Sequence, residues 1–413
     1  AVEAVGGTVE YEQARDYIRG RVVKLIDDGH EDTLMHRWPN GVPGISSVTE
    51  WDDLNAIGDA CDKAETDVGA PFDPDPVEPV LDRWTKPTAG PDTEPVVVEL
   101  REGDDAPDTD VDMVVLATPP GFRPLHFENA IDAGKHVFME KPVAVDVPGI
   151  KRVLAAGKKA EENGLYVGVG LQRRHQRIYK ELMDRIHNGM IGKPVYARVY
   201  WNSGGVWNRA REDGDTELKY QLRNWYYFNW LCGDHIVEQH IHNLDVVNWL
   251  RDGYPVEAAG MGGRLVRTGP ENGEIFDHHA VEFAYDDGFR MISQCRHMRG
   301  CFSIVDEHII GTEGYTRSNS KEVQIFDNDG KELFTAREEK GEPSGWEQEH
   351  HDLFANMANG TYVNEAEYGA RSTMTAILGR LATYTGKRVE LEKVMQHGPS
   401  LANVDDMTTF DQA

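Results

Sequence analysis

Hydrophobic and polar positions change texture once along the chain. Up to about residue 110, apolar residues are scattered. Tyr11–Leu25 and Asp52–Ala64 have the mixed polarity of surface helices. Residues 71–95 carry seven prolines, which block helix interiors and central strands, so this stretch predicts loop or extended linker. From Asp112 the pattern sharpens. Met113-Val114-Val115-Leu116-Ala117 is a continuous apolar run, the signature of a strand buried on both faces. Thr118-Pro119-Pro120-Gly121 stops it. Leu125–Ala133 has helical spacing, with Gly134 placed to end the helix. His136–Met139 predicts a second strand, ended by Glu140-Lys141-Pro142. Asp146–Glu162 predicts a helix closed by Asn163-Gly164, and Leu165–Gly170 a third strand. Strand, helix, strand, helix, strand is the order of a doubly wound parallel sheet.

The second half reads differently. Pro194–Trp201 alternates like a strand, and Trp225–Leu250 reads as one long aromatic, His-rich helical stretch. Ala280–Tyr285 and Phe289–Arg296 alternate around Asp286-Asp287-Gly288, a hairpin signal. Strands near 302–310 and 322–335 and helices near 346–358 and 366–384 complete the pattern. The predicted fold class is α/β: a Rossmann-like parallel sheet, incomplete at its N-terminus, followed by an α+β domain with a large, mostly antiparallel open sheet. The predicted organisation is an atypical acidic, Pro-rich segment over 1–110, the remainder of a nucleotide-binding domain over 111–170, and a C-terminal substrate and oligomerisation domain over 171–405.

Charge sharpens that boundary. The 413 residues hold 43 Lys/Arg and 71 Asp/Glu, a net of -28. Residues 1–110 hold 27 acidic and 9 basic side chains, so a quarter of the chain carries -18 of it. This balance argues against nucleic acid or an anionic membrane as partner. No apolar run approaches the ~18 residues of a membrane span. Cys61, Cys232, Cys295 and Cys301 form no C-x-x-C pair, which fits a reducing compartment or an exported protein without disulfides. A cytoplasmic location is the expectation. Ala1 is not an initiator Met, so removal of an upstream export segment stays open.

Two places concentrate chemistry. In a parallel sheet, ligands bind beyond the carboxyl ends of the strands. Here those ends are Ala117-Thr118-Pro119-Pro120 and Glu140-Lys141-Pro142. A lysine at such an edge can stabilise or move the proton of a substrate hydroxyl. The structural alternative is a surface Glu–Lys pair at a turn. The second place is Gly233–Asp245, where helical spacing sets Glu238 beneath His242 and brings His235 to the same side. A carboxylate on an imidazole fixes its tautomer and raises its basicity, which suits acid–base work. A polar helix face is the structural alternative. A metal held by His235, Glu238 and His242 is the rival chemical reading, although the spacing is not that of zinc proteases. No metal is assigned.

These residues carry a family resemblance. Ala117-Thr118-Pro119-Pro120 with His126, then Ala133-Gly134-Lys135-His136-Val137 leading to Glu140-Lys141-Pro142, then Gly233 through Glu238 to His242, resemble the Gfo/Idh/MocA oxidoreductases over about 111–405. Gln172-Arg173-Arg174-His175-Gln176 resembles one branch of that family. The resemblance implies an NAD- or NADP-binding Rossmann domain, hydride transfer to or from a sugar or polyol, and a homo-oligomer built through the open sheet. It implies that Lys141 and His242 are catalytic, with Glu238 standing where the family usually has aspartate. It places Ala117, Thr118, Pro119, Pro120, Glu140 and Lys141 along the cofactor. Arg173, Trp207 and His235 are candidates for the sugar side, because guanidinium forks grip oxygens and indole faces stack on sugar rings. Bracing a loop and filling the core are their structural alternatives. Tyr226, Tyr227 and Trp230 are expected at the domain junction.

Residues 1–105 depart from the family. The glycine-rich first turn of a Rossmann fold is expected there, and only Gly6-Gly7 is present, with no preceding apolar strand. Divergence, a fragment or fusion, or a misread upstream frame would each account for this, and the last two are favoured. Two further functions remain open. One is glycoside cleavage through transient oxidation and elimination with the cofactor recycled. The other is a cofactor-less sugar-binding or assembly protein.

Overall fold

The computed structural model describes residues 97–99 and 111–406. The expectations placed on Gly6-Gly7, Tyr11–Leu25, Asp52–Ala64 and the proline-rich stretch lie outside the described residues.

Four strands, β1 (Val97–Glu99), β2 (Met113–Leu116), β3 (His136–Met139) and β4 (Val167–Val169), form one parallel sheet in that order. Helix α1 (Arg123–Asp132) follows β2, and α2 (Val147–Glu162) follows β3. The apolar run in β2 is buried on both faces. Met113 and Val115 pack with Phe138 and Leu353, whereas Val114 and Leu116 pack with Val137 and Met139 in the main core. Each such side chain contributes about 1.5–3 kcal/mol by leaving water. Asp146 caps α2 by accepting from the Gly149 amide at 2.8 Å, and Gly134 takes φ 71° past the end of α1.

Strand β1 corrects the sequence reading. It pairs Val97 with Met113 upstream of the boundary drawn at Asp112, so the parallel sheet begins inside the acidic segment.

After β4 come α3 (Arg177–His187), absent from the predicted elements, and β5 (Pro194–Ser203). The predicted long helix over Trp225–Leu250 is broken. Past α4 (Glu217–Arg223) the chain forms a 3-10 turn at Trp225–Tyr227. It continues through α5 (Asn229–Cys232), α6 (His235–Glu238) and α7 (Ile241–Arg251). Gly233 at φ 79° and Asp234 at φ 73° end the first piece, a backbone region closed to ordinary helix.

The second sheet contains β6 (Glu257–Gly263), β7 (His278–Ala284), β8 (Arg290–His297), β9 (Ile304–Gly311), β10 (Gly314–Asn319), β11 (Glu322–Asp327) and β12 (Glu332–Arg337). The predicted strand over 322–335 is two strands, β11 and β12, joined by a turn. Helices α8 (Gly345–Asn359) and α9 (Ala366–Thr385), strand β13 (Val389–Glu390) and α10 (Leu391–His397) follow. The order is β12-β11-β10-β9-β5-β8-β7-β6-β13, antiparallel except where β5 runs parallel to β8. The hairpin signal at 286–288 joins β7 to β8 with Ala284 opposite Arg290.

Helix α9 packs against α2, α7, β6 and β7, so it ties the two sheets together. The loop after β2 docks on the same body. The Gly121 amide donates to Leu231 O at 2.9 Å, and Phe122 meets Trp230 edge-on. Only glycine fits this approach, because a Cβ on residue 121 would lie 2.2 Å from Trp230 O.

Candidate active site

The parallel order of β2, β3 and β4 delivers two corners to one edge. The Glu140 amide donates to Leu116 O at 3.0 Å, and the Gly170 amide to Met139 O at 2.9 Å. Thr118–Pro120 therefore lies beside Glu140–Pro142. Arg123, at the start of α1, clamps both corners by donating to Thr118 O and Pro142 O. Burial lowers the Arg123 guanidinium to about 10 against the attraction of Glu140 and Glu238.

Lys141 projects from this edge onto the broken helical stretch. Its Nζ donates to Glu238 Oε1 at 2.8 Å and to Glu238 O at 2.5 Å. The two side chains are 9 % and 4 % exposed, so this is a buried ion pair. It joins residues 97 positions apart. His242 sits in the first turn of α7, buried, with its ring centroid 6.0 Å from that of Trp201. The chain turns at Gln239-His240 between Glu238 and His242, so these two do not stack on one continuous helix as the spacing implied.

Asp234 shapes the turn that carries Glu238. A side chain at φ 73°, ψ 158° occupies a region that is essentially glycine's, at a cost of about 1–3 kcal/mol. Its carboxylate offsets that cost. Oδ1 accepts from the His235 amide at 2.5 Å and lies 2.8 Å from His235 Nδ1. Oδ2 accepts from Phe276 N at 2.9 Å and Tyr384 O–H at 2.6 Å, with His279 Nε2 at 3.3 Å. Burial opposes ionisation of Asp234, but His279 and His235 together hold its carboxyl well below the usual range. Burial pushes His235 down to about 4 and His240 to about 3, so both are neutral imidazoles near pH 7.

Among the described residues, the side chains that gather as metal-ligand types are Asp234, His235 and His279, within 4.8 Å of one another. Glu238 and His242 are not in that group, so the membership of the rival reading changes. Hydrogen bonds already occupy both Asp234 oxygens.

The two other sugar-side candidates go elsewhere. Arg173 is buried and paired with Glu307, which also accepts from Asn243 Nδ2 at 2.6 Å and Tyr179 O–H at 2.8 Å. Trp207 packs edge-on against Trp225, Tyr226 and Tyr227 at 6.0–6.3 Å between centroids.

Residues 90–171 match the family model described as the oxidoreductase family with NAD-binding Rossmann fold, GFO_IDH_MocA. Over these residues the chain is similar to the Gfo/Idh/MocA oxidoreductases. The match starts about twenty residues upstream of the compositional boundary, which agrees with β1 and corrects the reading that residues up to 105 fall outside the family. Scyllo-inositol 2-dehydrogenase (NAD(+)) of Bacillus subtilis is 24 % identical over 207 residues, 50 % of this chain and 55 % of that protein. Inositol 2-dehydrogenase of Acidothermus cellulolyticus is 29 % identical over 165 residues, 40 % of this chain and 42 % of its own. The chain thus spans about half the length of the curated relatives it matches. Levoglucosan dehydrogenase, solved with NADH and levoglucosan, superposes with a TM-score of 0.55 at 19 % identity, over 70 % of this chain and 81 % of that one. The likeness shows a shared fold.

Sequence reading missed Arg123, Asp234, Arg267, His279, His297 and Glu349. Most of them meet neighbours brought in from elsewhere in the chain, as Asp234 meets Phe276 and Tyr384. Glu349, on the first turns of α8, is buried, with Oε2 lacking a hydrogen-bond partner. Burial, then the charges of Glu140 and Glu365, push its carboxyl well above the ordinary range. A raised folded pKa means the folded state holds the extra proton. Stability from this group therefore falls as pH rises above ~4.3, the unfolded value, and levels off above the folded pKa. Glu349→Gln keeps the shape and removes the titration. Melting curves across pH should show E349Q gaining on the unsubstituted protein as pH rises through that window. A constant difference at every pH would contradict a protonated Glu349.

Proposed function

We propose that the chain oxidises a hydroxyl-bearing carbon of a sugar or polyol with NAD or NADP. The observation that carries this reading is the buried Lys141–Glu238 pair at the carboxyl edge of the parallel sheet. The described strand ends suit the nicotinamide end of a dinucleotide. Ala117, Thr118, Pro119, Pro120 and Glu140 border the edge, and Lys141 presents an ammonium beside it. When bound, the nicotinamide ring supplies the acceptor for hydride from the carbinol carbon.

The remaining work falls to side chains. Lys141 donates a hydrogen bond to the hydroxyl oxygen and stabilises the negative charge that develops there. Glu238 holds Lys141 in place through the 2.8 Å contact. His242 takes the hydroxyl proton, so the carbon loses hydride and the oxygen loses H⁺, leaving a ketone. Glu238 is one methylene longer than the aspartate usual in the family the chain resembles, and Lys141 also reaches its backbone carbonyl.

Titration of the purified chain with NAD and NADP, followed by product analysis on a panel of polyols and glycosides, tests the reading. Net formation of reduced cofactor with a ketone product is expected. Glycoside cleavage without net reduction would replace it with the elimination chemistry. Absence of cofactor binding would remove both.

A further inference from the structure

Among the described residues the buried Arg267 guanidinium has no carboxylate within 4 Å, in a residue only 5 % exposed; Asp277 Oδ2 accepts from the Arg267 backbone amide at 3.0 Å instead. The chain as a whole carries 71 acidic residues, so the omission is local. Desolvating a guanidinium costs several kcal/mol unless an anion compensates it. Arg267 donates instead to Phe276 O at 2.8 Å and to His297 Nδ1 at 2.9 Å, and its face covers Tyr227 at 5.1 Å.

The bond to His297 fixes a tautomer. Arginine only donates, so Nδ1 accepts and the ring hydrogen sits on Nε2. That Nε2 is buried and has no hydrogen-bond partner among the described residues. His297 thus holds a donor for which the protein supplies no acceptor.

Both residues line a cavity of about 330 Å³. Arg299, exposed and also without a carboxylate within 4 Å among the described residues, lies on the same wall, with Asn208, Tyr227 and Gly205. No Asp or Glu lines it. Gly205 lies on this wall at φ 95°, a backbone region that favours glycine. The cavity adjoins the catalytic turn. The His297 ring stacks on His235 at 4.4 Å, three residues before Glu238.

We infer that Arg267, His297 and Arg299 bind an anionic substituent of the substrate, so that the sugar oxidised is an acidic one, carrying a carboxylate or a phosphate. This rests on the sugar-oxidation reading for the neighbouring Lys141–Glu238 pair. The anion supplies the missing charge beside Arg267 and the missing acceptor for His297, and it orients the ring toward Lys141.

Calorimetric titration of the purified chain tests it, with D-glucuronate, D-gluconate and D-glucose 6-phosphate each compared with D-glucose. At least one acidic sugar should bind about tenfold tighter than glucose, the size of one charge-assisted hydrogen bond. The winning arm distinguishes carboxylate from phosphate. Arg299→Gln, an exposed change that leaves the buried network alone, should weaken the acidic sugar more than the neutral one. R267K, which keeps charge but loses the fork, should do the same if it folds. Equal binding of acidic and neutral sugars, or an equal loss of both in R299Q, overturns the inference. Binding is read without turnover, so the two readings fail separately. Reduction of cofactor by neutral sugars alone sinks the anion site and spares hydride transfer. Acid-selective binding with no reduction does the reverse.

Discussion

Lys141→Met is expected to lower kcat/KM for sugar oxidation by about 10²–10⁴-fold, the usual weight of a positioned proton-handling or charge-stabilising group. Met has the length of lysine without the charge. The loss would combine two effects, because Glu238 would remain buried at 4 % exposure with its cation gone. Stranding a buried charge in this way costs about 3–5 kcal/mol. The double variant K141M/E238Q separates them. Removing both charges should return most of the lost stability, since a glutamine needs no counter-ion. It should return none of the activity. Denaturant unfolding and steady-state turnover on the same three proteins check this. Recovery of activity with stability would mean that Lys141 acts by holding the fold.

Arg173→Met is expected to cost a similar ~3–5 kcal/mol, for the reason that Arg173 and Glu307 are the most deeply buried arginine– or lysine–carboxylate pair among the described residues, at 5 % and 0 % exposure. Glu307 would keep Tyr179, Ser318 and Asn243 as donors, which satisfy its oxygens without neutralising them. Burial already raises its carboxyl, so losing the arginine should drive it to the protonated form. R173M/E307Q should recover both stability and turnover. A double variant that is stable but poor in KM would restore Arg173 to the sugar side.

Which parts of this were legible in the sequence follows from the range of the interactions. Strands β2 and β3 show as apolar runs because a parallel strand is buried on both faces, and their proline corners mark the edge where Lys141 emerges. The broken helix did not show. Gly233 is visible, but Asp234 holds its positive φ through Phe276, Tyr384 and His279, none of which is local. Strand β6 hides for a different reason. It reads Glu-Ala-Ala-Gly-Met-Gly-Gly, poor in β-branched residues, because a Cβ at Gly260 or Gly262 would strike the carbonyls of Ala280 and His278 on β7. Spacing also suggested that His235, Glu238 and His242 form one face. Folding sends His235 to Asp234 and Glu238 to Lys141.

The acidity of the first 110 residues is likewise narrower than it looked. It marks a change of composition, not the edge of the family segment, which reaches back to residue 90 and contributes β1.

The central claim is that Lys141 and Glu238 stand where a carbon-bound hydrogen leaves the substrate as hydride. Deuterium tracing tests it most directly. The purified chain is incubated with NAD or NADP and a sugar deuterated at the oxidised carbon, and the reduced cofactor is weighed by mass spectrometry. Deuterium in the nicotinamide of the unsubstituted protein, and its near-absence with K141M, is the predicted result. Reduced cofactor without deuterium, or equal transfer by K141M, would contradict the account.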